Sequence, residues 1–193
     1  TPMVLDDYGE LLASLPFTAD RTIVLGVVLA LYPLGQFFGS PVMGALSDRF
    51  GRRPVLLASL AVTTACYSVF AYSIEIKNLP LLMLISVITG LAEANIVIAQ
   101  SSVADVSSAA NRSRLFGYVY LSASSAYVVG PLLGGKLADP AIMPWFSYAT
   151  PYWAVFFLLA ATLAFTFIVF RETHPLESRR AVSYTEAFTG LVR

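Results

Sequence analysis

Apolar and polar residues alternate along this chain in long blocks rather than with the short periods of a soluble helix or strand. Crossing the ~30 Å of a bilayer's hydrocarbon takes about 20 mostly apolar helical residues. Five blocks meet that length: residues 22–46, 54–73, 79–104, 114–138 and 151–170. Residues 1–5 read as the end of a further, truncated span, and an acidic stretch with Asp6, Asp7, Glu10 and Asp20 follows it. Connectors between the blocks are short, so neighbouring spans run antiparallel. The expected fold is an all-α, polytopic membrane bundle over residues 1–175, with a polar linker from 176 to 193. The segment 183–193 has the pattern of a short amphipathic surface helix.

Composition agrees with this pattern. Hydrophobic residues make up 57% of the chain and charged ones 12%, against about 25% charged in ordinary soluble domains. The formal net charge is zero, which offers nothing to attract nucleic acid. The single cysteine, Cys66, excludes an internal disulfide framework and reads as a packing residue. Without a secretory leader pattern and without an initial methionine, the chain reads as an internal segment of a longer protein.

Cationic residues set the orientation. Arg49, Arg52, Arg53, Arg112, Arg114, Arg171, Arg179, Arg180 and Arg193 fall on one side of the alternating trace, and Arg21, Lys77 and Lys136 on the other. The first side is expected to be cytoplasmic, in a plasma membrane such as a bacterial inner membrane. A short echo links Ser40-Pro41-Val42-Met43-Gly44 with Gly130-Pro131-Leu132-Leu133-Gly134, on spans that run in opposite directions. Inverted repeats of this kind recur in transporters.

The most specific motif is Gly44-Ala45-Leu46-Ser47-Asp48-Arg49-Phe50-Gly51-Arg52-Arg53-Pro54-Val55-Leu56. Asp48 lies at a helix C-terminus, where the macrodipole is already negative, so it calls for a cation. Arg52 and, across the bundle, Asp105 are the natural candidates for one charge cluster. Alternatively, Arg49, Arg52 and Arg53 serve only as topology and anionic-lipid anchors. The motif resembles the signature between helices 2 and 3 of the major facilitator superfamily. That resemblance implies that Gly44, Asp48, Arg49, Gly51, Arg52, Arg53 and Asp105 form a gating loop and charge relay against the C-terminal half of a twelve-helix transporter. Gly130-Pro131-Leu132-Leu133-Gly134-Gly135 is similar to the superfamily's fifth-helix antiporter motif, with Ala126 where a glycine is usual. Gly130, Pro131, Gly134 and Gly135 would let helices approach closely and bend, whether for transport or for packing alone.

Within the membrane, Ser86, Glu93 and Gln100 recur every seven residues on one span, which puts them on one helix face. An acidic residue at mid-span costs about 2.5–3.5 kcal/mol on insertion scales, so Glu93 should face a wet cavity or a partner. There it is a candidate for proton coupling or cation binding, or else a hydrogen-bonded packing carboxyl. Proton antiporters of the superfamily carry an arginine where this chain has Ser86. Gln36, Tyr32, Asn95, Ser122, Ser125 and Tyr127 are weaker candidates for the substrate path. Trp145 and Trp153 read as interfacial aromatics, and His174 as a surface residue. The sequence holds no nucleophile–base pair, metal-ligand cluster or phosphate loop, so neither an enzyme, a metal nor a cofactor is expected.

The resemblance as a whole, strongest toward drug–proton antiporters and tetracycline exporters, implies alternating access driven by a proton gradient. The expected partners are a small-molecule substrate, membrane lipids and the missing C-terminal half. A proton-coupled importer of a nutrient or siderophore, and a non-transporting receptor or assembly subunit, are the rival readings.

Overall fold

The computed structural model describes residues 21–173, and among these every regular element is a helix. In chain order they are α1 (Arg21–Phe50), α2 (Arg52–Glu75), α3 (Leu79–Glu93), α4 (Ile96–Val106), α5 (Arg112–Leu137) and α6 (Thr150–Val169). Counting α3 and α4 as one crossing, five spans are long and apolar enough to cross a membrane. They match the five expected blocks to within a few residues, except at the places described below. The expected span end at 1–5, the linker 176–193, the helix 183–193, His174, Arg179, Arg180 and Arg193 lie outside the described residues.

The first difference is at the signature motif. It is not an extended loop: α1 runs on to Phe50 and α2 starts at Arg52, so Gly51 is the whole connection. Both helices project beyond their apolar blocks because a single residue reverses the chain. Gly51 adopts φ 103°, a region closed to residues with a Cβ, and its N–H donates to Ser47 O at 3.0 Å.

The second difference is that the block 79–104 is two helices. Ala94 (φ −62°, ψ 7°) and Asn95 (φ −64°, ψ −13°) depart from α geometry, and Val97 N–H reaches back only three residues, to Ala94 O at 3.3 Å. From α2, the Ser59 hydroxyl donates to Ala92 O at 2.7 Å, the nominal acceptor for Ile96. A side chain intruding on the helical ladder is a recognised cause of such breaks. Ser86 and Glu93 therefore share the face of α3, but Gln100 belongs to α4 and does not continue that face.

The helices associate where their backbones can touch, since lipid offers no hydrophobic drive between them. α1 packs chiefly on α3, and α2 on α3 and α6. The α1–α3 contact is made at Gly35, Gly39 and Gly90. A Cβ on Gly35 would lie 2.5 Å from Val87 O, and one on Gly39 2.6 Å from Leu91 O; one on Gly90 would collide with Tyr32 O. Gly35-Gln36-Phe37-Phe38-Gly39 is thus a small-xxx-small contact. At the opposite end of α2, a buried cluster including Cys66, Phe70, Ile74, Leu82 and Ala149 joins α2, α3 and the start of α6. Trp153 Nε1 donates to Glu75 Oε1 there at 2.9 Å, so this indole tethers α6 to α2 in addition to any interfacial role.

α5 packs lightly, against α4 and α6, and none of its residues is buried. No described atom lies within 4 Å of where a Cβ would stand on Gly130, Gly134 or Gly135. The close approach expected of these glycines is not made to any described helix, because none packs along that face of α5. Pro131 sits inside a continuous α5.

The α1–α3 contact yields a stability prediction. Gly90→Ala should lower the stability of the full-length protein by about 1–3 kcal/mol through overpacking. Gly44→Ala should be close to neutral, since its methyl would meet Val97 Cγ1 at an ordinary 3.7 Å. Thermal unfolding of the two variants in detergent would compare them directly.

Candidate functional site

Two polar constellations stand out. One is at the end of the bundle that carries the α1–α2 turn. Because Gly51 alone separates the helices, Arg52 opens α2 directly beneath the last turn of α1, and its side chain is buried, 6% exposed. A buried guanidinium is tolerated only with partners for its donors. Arg52 Nη1 donates to Asp48 Oδ1 at 2.5 Å and to Ser47 Oγ at 2.6 Å, while Nε donates to Asp105 Oδ2 at 3.1 Å. Ser47, fully buried, passes its own hydroxyl proton to Gly44 O at 2.9 Å. Asp48 and Arg52 come from the turn, and Asp105 from the end of α4, so three helices meet on one cation.

The other motif arginines do different things. Arg49 is exposed, its guanidinium 5.1 Å from the Phe50 ring centroid. Arg53 donates through Nη2 to Phe167 O at 2.8 Å and lies 5.7 Å from the Phe167 ring centroid. The Glu172 carboxylate, just past α6, accepts from Arg52 N–H at 2.9 Å and Arg53 N–H at 3.3 Å. Ser47 and Glu172 were not singled out in the sequence. Ser47 is a polar residue within the motif; Glu172 has no signal except an acid near a span end.

The second constellation surrounds Glu93, the last residue of α3. Tyr32 donates its hydroxyl to Glu93 Oε2, and Gln36 Nε2 donates to the Tyr32 hydroxyl at 3.0 Å. Tyr67 of α2 lies within hydrogen-bonding range of the same carboxyl. Glu93 thus points between α1 and α2, not at lipid. Beside it, Tyr32, Tyr67, Ser86, Thr89 and Tyr152 help line a cavity of about 230 Å³. Ser86 is buried and donates to Leu82 O at 2.8 Å, so it lines this cavity without contacting Glu93. Tyr67 was missed in the sequence, hidden in an apolar run beside Cys66.

The remaining candidates are not drawn into this cluster. Asn95 sits in the break after α3, and Gln100 is part-buried on α4. Tyr127 on α5 is 83% exposed. Among the described residues there is no group of three or more His, Cys, Asp and Glu able to hold a metal ion.

A bundle of membrane-length helices with an ion-paired arginine at one end and a tyrosine-bound carboxyl at mid-span has the architecture of half a helical membrane transporter. The sequence profile of the Major Facilitator Superfamily matches residues 6–191, and the chain belongs to that superfamily as a multi-pass membrane protein. It is 36% identical over 157 residues to the class C tetracycline resistance protein of Escherichia coli, covering 80% of this chain and 37% of that protein. The class B protein of Escherichia coli is 38% identical over 148 residues, covering 77% and 35%. Major facilitator superfamily domain-containing protein 10 of Mus musculus is 34% identical over 163 residues, covering 84% and 33%. The human organic anion transporter MFSD10 (TETRAN) superimposes with a TM-score of 0.72 at 26% identity, over 96% of this chain and 42% of that one. The chain therefore spans little more than a third of the length of the curated relatives it matches.

Replacing the central cation tests the charge cluster. Arg52→Met should destabilise the full-length protein by about 2–3 kcal/mol, the scale of hydrogen bonds to charged groups. Arg49→Met should change stability by less than about 0.5 kcal/mol, as exposed substitutions do. Thermal unfolding at low and high salt reads both.

Proposed function

We propose that this chain is the N-terminal half of a secondary transporter that works by alternating access and exchanges protons for an exported small molecule. The observation that carries this reading is Glu93, an acidic residue inside a membrane span whose hydrogen-bonding partners are the neutral side chains Tyr32 and Tyr67. A carboxyl held by neutral hydroxyls gains or loses a proton without stranding an opposite charge. Phenols from α1 and α2 converge on it, so either protonation state changes the hydrogen bonding between three helices. Tyr32 and Gln36 form a short donor chain along which that change spreads.

In this reading the Arg52 cluster is the cytoplasmic latch, joining α1, α2 and α4 where the absent half of the transporter would dock. Substrate binds at the midplane between the halves. The relatives' names point to tetracyclines in one group and organic anions in the other, and both belong in a substrate panel. Glu93 stands in place of the arginine-based relay expected at Ser86. The membrane is the plasma membrane, with the Gly51 turn inside.

Proteoliposomes containing the full-length protein and an interior pH dye test the proposal. Substrate-dependent proton flux is expected with at least one tetracycline or organic anion, and Glu93→Gln should abolish it. Tyr32→Phe, which deletes one hydrogen bond to a charged group, should slow the flux about tenfold or more. Undiminished flux in Glu93→Gln would move the coupling site elsewhere. Flux driven in the opposite direction, with substrate and protons entering together, would establish an importer.

A further inference from the structure

The start of α2 lacks a cap of its own. Gly51 precedes it and has no side chain to satisfy the first N–H groups, and no side-chain cap bond is made by that residue. Left bare, those groups and the positive end of the helix dipole would sit beside the buried Arg52 guanidinium, adding to its charge. The cap comes instead from Glu172, 120 residues further along the chain. One carboxylate oxygen takes Arg52 N–H at 2.9 Å and the other takes Arg53 N–H at 3.3 Å; the first also takes Thr173 N–H at 3.1 Å.

The reverse contact is made too. Arg53 sends Nη2 to the Phe167 carbonyl at 2.8 Å, in the last turn of α6, where the helix dipole is negative. An acid from beyond α6 thus meets the positive end of α2, and a base from α2 meets the negative end of α6. The two contacts form a reciprocal clasp. Arg52 stands in both this clasp and the charge cluster: its main chain is held by Glu172, and its side chain holds Asp48, Ser47 and Asp105.

We propose that Glu172 is a positioning residue of the charge cluster, holding Arg52 by its backbone so that the exit of α6 and the Asp48–Arg52–Asp105 latch move as one unit. The inference rests on reading that cluster as a latch. It gives α6 and the chain beyond it a direct mechanical route to the latch: drawing the α6 exit away removes the cap, shifts the first turn of α2, and misaligns the guanidinium between its two carboxylates. Asp105 never touches Glu172, so any response at α4 must pass through Arg52.

Hydrogen–deuterium exchange on the full-length transporter, comparing wild type with Glu172→Gln and Glu172→Asp, tests this without requiring transport. With Glu172→Gln, exchange should quicken about five-fold, the scale of a lost helix cap, both at the first turn of α2 and at the last turn of α4. Glu172→Asp should fall between the two. Faster exchange confined to residues 52–55 would make Glu172 a local cap and overturn the proposal, as would no change at either place. Should Glu172→Gln fail to fold, Arg53→Gln removes the Phe167 strap while leaving the carboxylate, and the same two regions decide. Coupled exchange in a protein that moves no substrate would refute the transport reading and leave the coupling intact.

Discussion

In hydrocarbon, two helices gain little by covering each other's leucines, so the positions at which backbones touch decide how a bundle is assembled. In this chain that contact is the one between α1 and α3 at Gly35, Gly39 and Gly90, where an added Cβ would strike main-chain atoms. Its consequences extend in both directions along the helices. Tyr32 and Gln36 flank Gly35, and Glu93 lies one turn beyond Gly90, so the approach that seats the glycines also brings the phenol and amide to the carboxyl. Further along, the same pair of helices leads to Asp48 at the end of α1 and, past the break, to Asp105 at the end of α4.

The two constellations differ in the character of their bonds, and that difference suits them to different tasks. Arg52 is held by two carboxylates and a serine hydroxyl, with its guanidinium out of water. Opening that cluster strands charge, which makes it resist partial movement and favours closed or open arrangements over intermediate ones. Glu93 has neutral hydroxyls for partners among the described residues. It exchanges a proton with a rearrangement of hydrogen bonds alone. A latch and a proton site call for these respective chemistries.

The break at Ala94–Asn95 lies between them. Glu93 is the last residue of α3, which the glycine contact fastens to α1; Asp105 is at the end of α4, which is eleven residues long. Ser59 of α2 occupies the carbonyl of Ala92 on the α3 side. The crossing is consequently built in two parts, one bound to the carboxyl and the other to the charge cluster. The membership in the Major Facilitator Superfamily agrees with this division of labour, and the solved MFSD10 transporter shares the fold over nearly the whole chain.

Much of this was legible before any coordinates. Five spans, their order and the importance of Asp48, Arg52, Asp105 and Glu93 follow from local signals: a run of about 20 apolar residues, a charge at a helix end, an acid where acids are costly. The single-residue turn was not legible, because hydropathy marks where the membrane ends and not where the helix does. Nor was the break in the fourth crossing, whose cause is a serine on another helix. Ser47, Tyr67 and Glu172 went unremarked because an isolated serine, a tyrosine in an apolar run and an acid near a span end are common and unspecific. Their roles depend on which face each helix turns to its neighbour. The sequence by itself determined the spans, because crossing a bilayer is a requirement each segment must meet alone. Only the tertiary structure decided the partners, because a side chain's partner is set by the relative rotation of helices, and that rotation is fixed by contacts between residues more than fifty positions apart, such as Gly35 and Gly90.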